Sequence, residues 1–302
     1  MSANLGDTTS TCSIELLNFH ARVVGPTPII RELGRYAAVT PKWAIDGGSG
    51  KVSRVYVVDD GGPSKSRYSV TRSGKTIWAS GHADEVFPFL ESTINAAAIE
   101  HSSGYFLLHA GAVTFQDRGV IFPAPGRSGK SSLVAALLGS GRFLYFSDEV
   151  AALDTQHHHL IPFAKSIAIR EGAVQPLTPF LPGLAELGQF RRPDGDFVRF
   201  VAPRPEWVSQ GPTQVRYVIL PKYEPGADLR LLPIRRSNAL KTILSESFNL
   251  QQYRAAGVSG VAKILEGAEC FSLVFSDIGS AVRCVVSEVA PELERERPRS
   301  EC

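Results

Sequence analysis

From Ile14 to about Ser80 the chain alternates short apolar stretches with turn signals, Gly47-Gly48 and Asp60-Gly61-Gly62-Pro63 among them. Val52–Val58 and Tyr68–Val70 read as strands within it. The period changes over Ala83–Glu100. There Val86, Phe87, Leu90, Ile94 and Ala97 fall on one side of a 3.6-residue repeat, which predicts a helix. Residues 13–100 are therefore expected to form a small α/β unit, preceded by a polar, disordered stretch over residues 1–12.

The next segment is denser in strands. Tyr105–Leu108 and Ala112–Phe115 are apolar, Gln116-Asp117-Arg118-Gly119 is a turn, and Val120-Ile121-Phe122 returns as the second arm of a hairpin. The hairpin runs into Pro123-Ala124-Pro125-Gly126-Arg127-Ser128-Gly129-Lys130-Ser131-Ser132. Leu133, Val134, Leu137 and Leu138 then mark the buried stripe of a helix that Gly139 and Gly141 end. Phe143–Phe146 reads as a buried strand leading into Ser147-Asp148-Glu149. Six prolines between residues 173 and 207 predict long loops and a mobile cover. Strand signals resume at Val215–Leu220, and Ser237–Phe248 has helical spacing. The charged tail 291–302 is expected to be solvated. The fold class is α/β, with residues 101–290 as the main domain.

Composition narrows the function classes. Of the 302 residues 43% are hydrophobic and the formal charge is +2, so neither a general polyanion affinity nor a nucleic-acid partner is expected. No run of 18 apolar residues suggests a membrane span. The four cysteines have no CxxC spacing, which argues against a disulfide scaffold or a structural zinc site. With no secretory pattern at residues 1–12, a reduced, cytoplasmic setting is expected.

The candidate chemistry centres on residues 123–132. A phosphate-binding loop needs converging backbone N–H groups, a lysine for the terminal phosphates and a hydroxyl for magnesium. Gly126 and Gly129 allow the backbone to curl. Lys130 supplies the charge, Ser131 the hydroxyl, and the helix beginning there adds its positive end. The full spacing GxxxxGK[ST] would place glycine where this chain has Ala124. Asp148, at the end of a buried strand and followed by Glu149, can hold magnesium or accept a hydroxyl proton. One helix and one strand separate Lys130 from Asp148, so the two are expected on adjacent strands. His109, at a strand end before the hairpin, suits proton transfer near neutral pH. Lys165 and Arg170 are further cations expected near the phosphates. His157, His158 and His159 are consecutive and so diverge, which suits an exposed turn better than a metal site.

Leu108-His109-Ala110-Gly111-Ala112-Val113, the hairpin, the loop from Gly126 to Ser132, and Ser147-Asp148-Glu149-Val150 resemble the HPr serine kinase/phosphorylase family. That family's catalytic domain is similar to the nucleotide-binding core of phosphoenolpyruvate carboxykinase. The resemblance covers roughly residues 104–172, with a weaker echo of the family's Gly-Arg-Asn segment at Arg236-Ser237-Asn238. It implies a P-loop core in which His109 matches the active-site histidine, Lys130 and Ser131 the phosphate-loop pair, and Asp148 one of an acidic pair. It also implies ATP and Mg2+, with Gly126, Arg127, Ser128, Gly129, Lys130, Ser131 and Ser132 around the nucleotide and Ser131, Asp148 and Glu149 around the metal. The bifunctional enzymes carry two aspartates where this chain has Ser147-Asp148. The chain therefore looks more like the divergent HPr-kinase-like proteins, including those that phosphorylate ribosomally made peptides such as lasso-peptide precursors. The expected activity is transfer of a γ-phosphoryl group to a hydroxyl, on a serine of a peptide or protein. The alternative is a nucleotide-binding regulatory or assembly module with little transfer. A homo-oligomer is left open.

Overall fold

The computed structural model describes residues 9–37, 52–61 and 67–291, in a mixed α/β architecture. It divides into two compact units. One takes in the described residues up to Ser103 together with Ala164–Glu171 and Glu186–Pro203. The other takes in Gly104–Phe163, Gly172–Ala185 and the chain from Arg204 onward.

The first unit opens with β1 (Thr9–Leu16), β2 (Phe19–Pro26), α1 (Thr27–Ala37), β3 (Val52–Asp59), β4 (Tyr68–Arg72) and β5 (Lys75–Ser80). The strands form one sheet in the order β1-β2-β3-β4-β5, antiparallel throughout except for the parallel pair β2–β3. β1 begins at Thr9, inside the stretch read as disordered, and residues 1–8 of that stretch lie outside the described residues. Alternation fixes the faces. Phe19, Ala21 and Val23 of β2, Tyr56 and Val58 of β3, and Val70 of β4 are all buried. Helix α2 (Val86–His101) buries Val86, Phe87, Leu90, Ile94 and Ala97, the stripe that the periodicity predicts.

The second unit begins with the hairpin. β6 (Tyr105–Phe115) and β7 (Arg118–Pro123) pair antiparallel around Gln116-Asp117, and the Thr114 hydroxyl holds the turn by donating to the carbonyls of Gln116 and Arg118. The two apolar runs of the sequence are thus one continuous strand, which places His109 in its interior rather than at its end. Next come α3 (Lys130–Gly139), β8 (Leu144–Ser147), β9 (Val150–Asp154) and β10 (His159–Ile161). A Cβ on Gly111 of β6 would stand 2.8 Å from the Val134 side chain of α3, so a residue without one lets helix and strand close up.

The chain then returns to the first unit for β11 (Ile167–Arg170). The second unit takes the short α4 (Val174–Leu177), and the first takes β12 (Gln189–Arg191) and β13 (Phe197–Val201). These strands form an antiparallel sheet in the order β11-β13-β12, where the proline content predicts long loops and a cover. The prolines do not interrupt it: Pro193 stands in the turn between β12 and β13, and Pro203 and Pro205 follow β13. Phe190 and Phe200 of this sheet pack on Phe87, with centroids at 5.2 and 4.5 Å.

The second unit closes with β14 (Thr213–Tyr223), β15 (Arg230–Pro233), α5 (Arg236–Ser245), α6 (Leu250–Glu266), β16 (Glu269–Phe275) and α7 (Ile278–Val289). Its sheet runs β10-β9-β6-β7-β14-β16-β15, with β8 also paired to β6. β7, β14 and β16 are mutually parallel. Ala110, Ala112, Ile121, Phe146, Val218, Ala239 and Ile243 belong to one buried cluster of this unit.

Candidate functional site

The segment from Ala124 to Gly129 leaves the end of β7 and enters α3 at Lys130. Because β14 and β16 run parallel to β7, this loop stands at the carboxyl ends of three parallel strands, the side on which open α/β sheets take ligands. Two contacts hold it there. The Tyr223 amide at the end of β14 donates to the Ser128 carbonyl at 3.0 Å. Gly129, at φ +91°, leaves room for Phe275 of β16, whose ring a Cβ would meet at 2.8 Å. Arg127 also has positive φ. Gly126 does not, and a Cβ there would meet nothing within 4 Å, so the curl of the backbone is made at Arg127 and Gly129 while Gly126 leaves an open approach.

Lys130 is buried, at 5% exposure, and its Nζ donates to the carbonyls of Ala124 at 2.5 Å and Pro125 at 2.8 Å. Burial pulls its pKa down to about 8, against the opposing pull of Glu246, Glu149 and Asp148. Three carboxylates from two other segments therefore act on this ammonium. The Ser128 hydroxyl is buried with no hydrogen-bond partner among the described residues. Ser131 and Ser132 are half-buried in the first turn of α3.

Asp148 is 2% exposed, and the Tyr145 hydroxyl donates to its Oδ1 at 3.0 Å. It follows β8 directly. Ser147 shapes the turn to β9, its Oγ accepting from the amides of Glu149 at 3.1 Å and Val150 at 2.8 Å. The expectation that Lys130 and Asp148 stand on adjacent strands is corrected. β6 lies between β7 and β8, because the hairpin inserts its first arm between them.

His109 brings in a residue that the sequence reading missed. Its Nδ1 lies 3.1 Å from Oε2 of Glu246, and its amide donates to the Glu246 carbonyl at 2.7 Å. The segment after α5 lies along the lower half of β6. The Phe248 amide donates to the Leu107 carbonyl, and the Asn249 side chain accepts from the Leu107 amide and donates to the Tyr105 carbonyl. The Phe248 ring sits 5.7 Å from that of His109. No local spacing links residues 109 and 246. The available signal was the polar end, Ser245-Glu246-Ser247, of a helix that is otherwise read correctly.

The remaining candidates are committed elsewhere. Lys165 forms a buried pair with Glu91 at 3.2 Å inside the first unit. Arg170 pairs with Asp194 and Asp196 in the same unit. His157 and Asp154 close an exposed turn, with His158 at positive φ. Among the described residues no group of three or more His, Cys, Asp or Glu side chains is arranged to hold a metal ion. No helix among them is long and apolar enough to cross a membrane. Compared with protein-family models and with curated proteins, the chain matches none.

Proposed function

We propose that the chain is an ATP- and magnesium-dependent kinase that transfers the γ-phosphoryl group to a hydroxyl, of a serine in a peptide or protein. The observation that carries this reading is the buried Lys130 ammonium at a strand–loop–helix junction, under the influence of Glu246, Glu149 and Asp148. The residues fit such a ligand. A buried Ser128 hydroxyl has no partner among the described residues, Gly126 is open to approach, and Lys130 has only neutral carbonyls as hydrogen-bond acceptors. Phosphate oxygens make stronger partners for an ammonium than carbonyls do. Ser131, Asp148 and Glu149 would hold the metal, as hard oxygen donors suit magnesium.

Bound ATP with magnesium supplies the phosphoryl group and part of the charge compensation. The chain's own residues do the rest. Lys130 and the positive end of α3 offset charge on the diphosphate that departs. His109, with Nδ1 turned to Glu246, offers Nε2 to the acceptor hydroxyl and takes its proton as the oxygen bonds to phosphorus. Glu246 then balances the imidazolium. Tyr145 keeps the Asp148 carboxylate oriented.

The test is incubation of the full chain with labelled ATP, magnesium and candidate peptides, read by mass for a phosphate adduct. Asp148→Asn should bind nucleotide yet transfer at least ~100-fold more slowly, the lower end of a general-base or metal-ligand loss. Near-parental transfer by Asp148→Asn refutes its role. Nucleotide binding without any adduct returns the chain to the reading as a binding module.

A further inference from the structure

We propose that the first unit carries a second site, for a small molecule bearing one phosphate or carboxylate group, between β3, β4 and α2. It is independent of the kinase reading. An open cleft of about 420 Å³ is lined there by Arg54 and Arg72 from the strands and by Ser92, Thr93, Ala97 and Glu100 from the helix.

Register is what makes the two arginines informative. Residues two apart on a strand share a face, and residues directly opposite in a pair share it too. Arg54, Tyr56 and Val58 therefore lie on one face of β3. Arg72 and Val70, opposite Tyr56 and Val58, continue that face on β4. Tyr56, Val58 and Val70 are buried, so this is the face turned into the unit. Arg54 and Arg72 are only half-buried on it, and both line the open cleft.

No carboxylate among the described residues pairs with either arginine. Arg54 touches the His101 ring nitrogen through Nη2, and the Arg72 side chain has no hydrogen-bond or ion-pair partner among the described residues. Tyr56, on the same face and opposite Arg72, is fully buried, and its hydroxyl also lacks a partner among them. The Arg72 guanidinium and the Tyr56 hydroxyl, on one inward face, thus lack an acceptor among the described residues, while Arg54 is held by His101, which in turn lies 3.4 Å from Glu100. Guanidinium forks match the paired oxygens of phosphate and carboxylate, and the Thr93 hydroxyl adds a donor, whereas that of Ser92 already donates to the Phe89 carbonyl at 3.0 Å. Glu100 disfavours a polyanion and accepts from a hydroxyl or amino group. The class that suits the cleft is a small oxyanion with a hydrogen-bond donor of its own. Its volume suits a small molecule.

Titration calorimetry of the full chain with inorganic phosphate and, separately, with succinate tests the site, at ionic strength fixed by chloride. Parallel titrations of Lys130→Met keep any anion binding at the 123–132 loop distinguishable. The expected result is saturable binding that survives Lys130→Met and also Arg22→Gln, a change at an exposed arginine on the outer face of β2, and that weakens at least ~10-fold in Arg72→Gln, the loss of one charge-assisted contact. Tighter phosphate points to a phosphate ester as the source, and tighter succinate to a carboxylate. If Arg72→Gln does not fold, Arg72→Lys, which keeps the charge and loses the fork, should show a smaller loss. Absence of saturable binding, loss with Lys130→Met, or affinity unchanged by the folded Arg72 variant overturns the proposal.

Discussion

Lys165 and Lys130 are both buried, one in each unit, and they are held in opposite ways. Lys165 has the Glu91 carboxylate at 3.2 Å, and Asn95 donates to the same oxygen at 2.8 Å. Lys130 has two loop carbonyls at contact distance, while its carboxylates act from farther away. A buried ion pair closed on itself is a device for the fold. A buried ammonium given only neutral acceptors keeps its charge available to something that arrives.

The largest effect should come from removing that available charge. Lys130→Met is expected to cut phosphoryl transfer at least ~1000-fold, the upper end for losing one charge-stabilising group, with the fold retained. Its pH dependence sharpens the contrast. Folding lowers this pKa to about 8, so the unfolded chain binds the proton more tightly from there up to the ordinary lysine value of ~10.4. In that window the group's contribution to stability rises with pH. Nucleotide affinity must move the other way, falling above about pH 8 as the ammonium is lost. Calorimetry in which the parent and Lys130→Met share one pH profile would break the comparison.

A smaller effect is expected at Glu246, which acts through His109. Glu246→Gln should lower kcat by ~100-fold with little change in the nucleotide KM, the signature of an interaction that matters in the transition state. A rise in KM at constant kcat would make Glu246 a binding group instead. The smallest effect on transfer belongs to the other lysine. Glu91→Gln leaves the Lys165 charge buried without its partner, so denaturant melts should show a loss of about 3–5 kcal/mol. The transfer rate of the folded protein should not move, and a large fall in kcat would erase the distinction between the two lysines.

The parts of the molecule that were legible in the sequence are those written locally. The β6–β7 hairpin, the loop and α3 follow one another within 35 residues, and each has its own period or turn signal. The α2 stripe is equally plain. Sequence reading failed where partners are distant or a composition rule misleads. That β6 separates Lys130 from Asp148 is a property of sheet order, which spacing does not encode. The Glu246–His109 pair depends on two segments 137 residues apart. The prolines between residues 176 and 205 obscured the alternation of Phe197-Val198-Arg199-Phe200-Val201, whose strand they only flank. In β1, Thr9-Ser10-Thr11-Cys12 is too polar to read as a strand without its partner β2.

The stretch from Glu246 to Asn249, laid along the lower half of β6, also sets an order of events in time. On a ribosome, the loop and α3 emerge and have all their local information more than a hundred residues before Glu246 is joined to the chain. A nascent protein can thus form the loop and α3 early. The His109–Glu246 pair cannot exist until the later segment has docked on a strand made long before. Under the proposed reading, phosphoryl transfer would therefore have to wait until this late segment is in place.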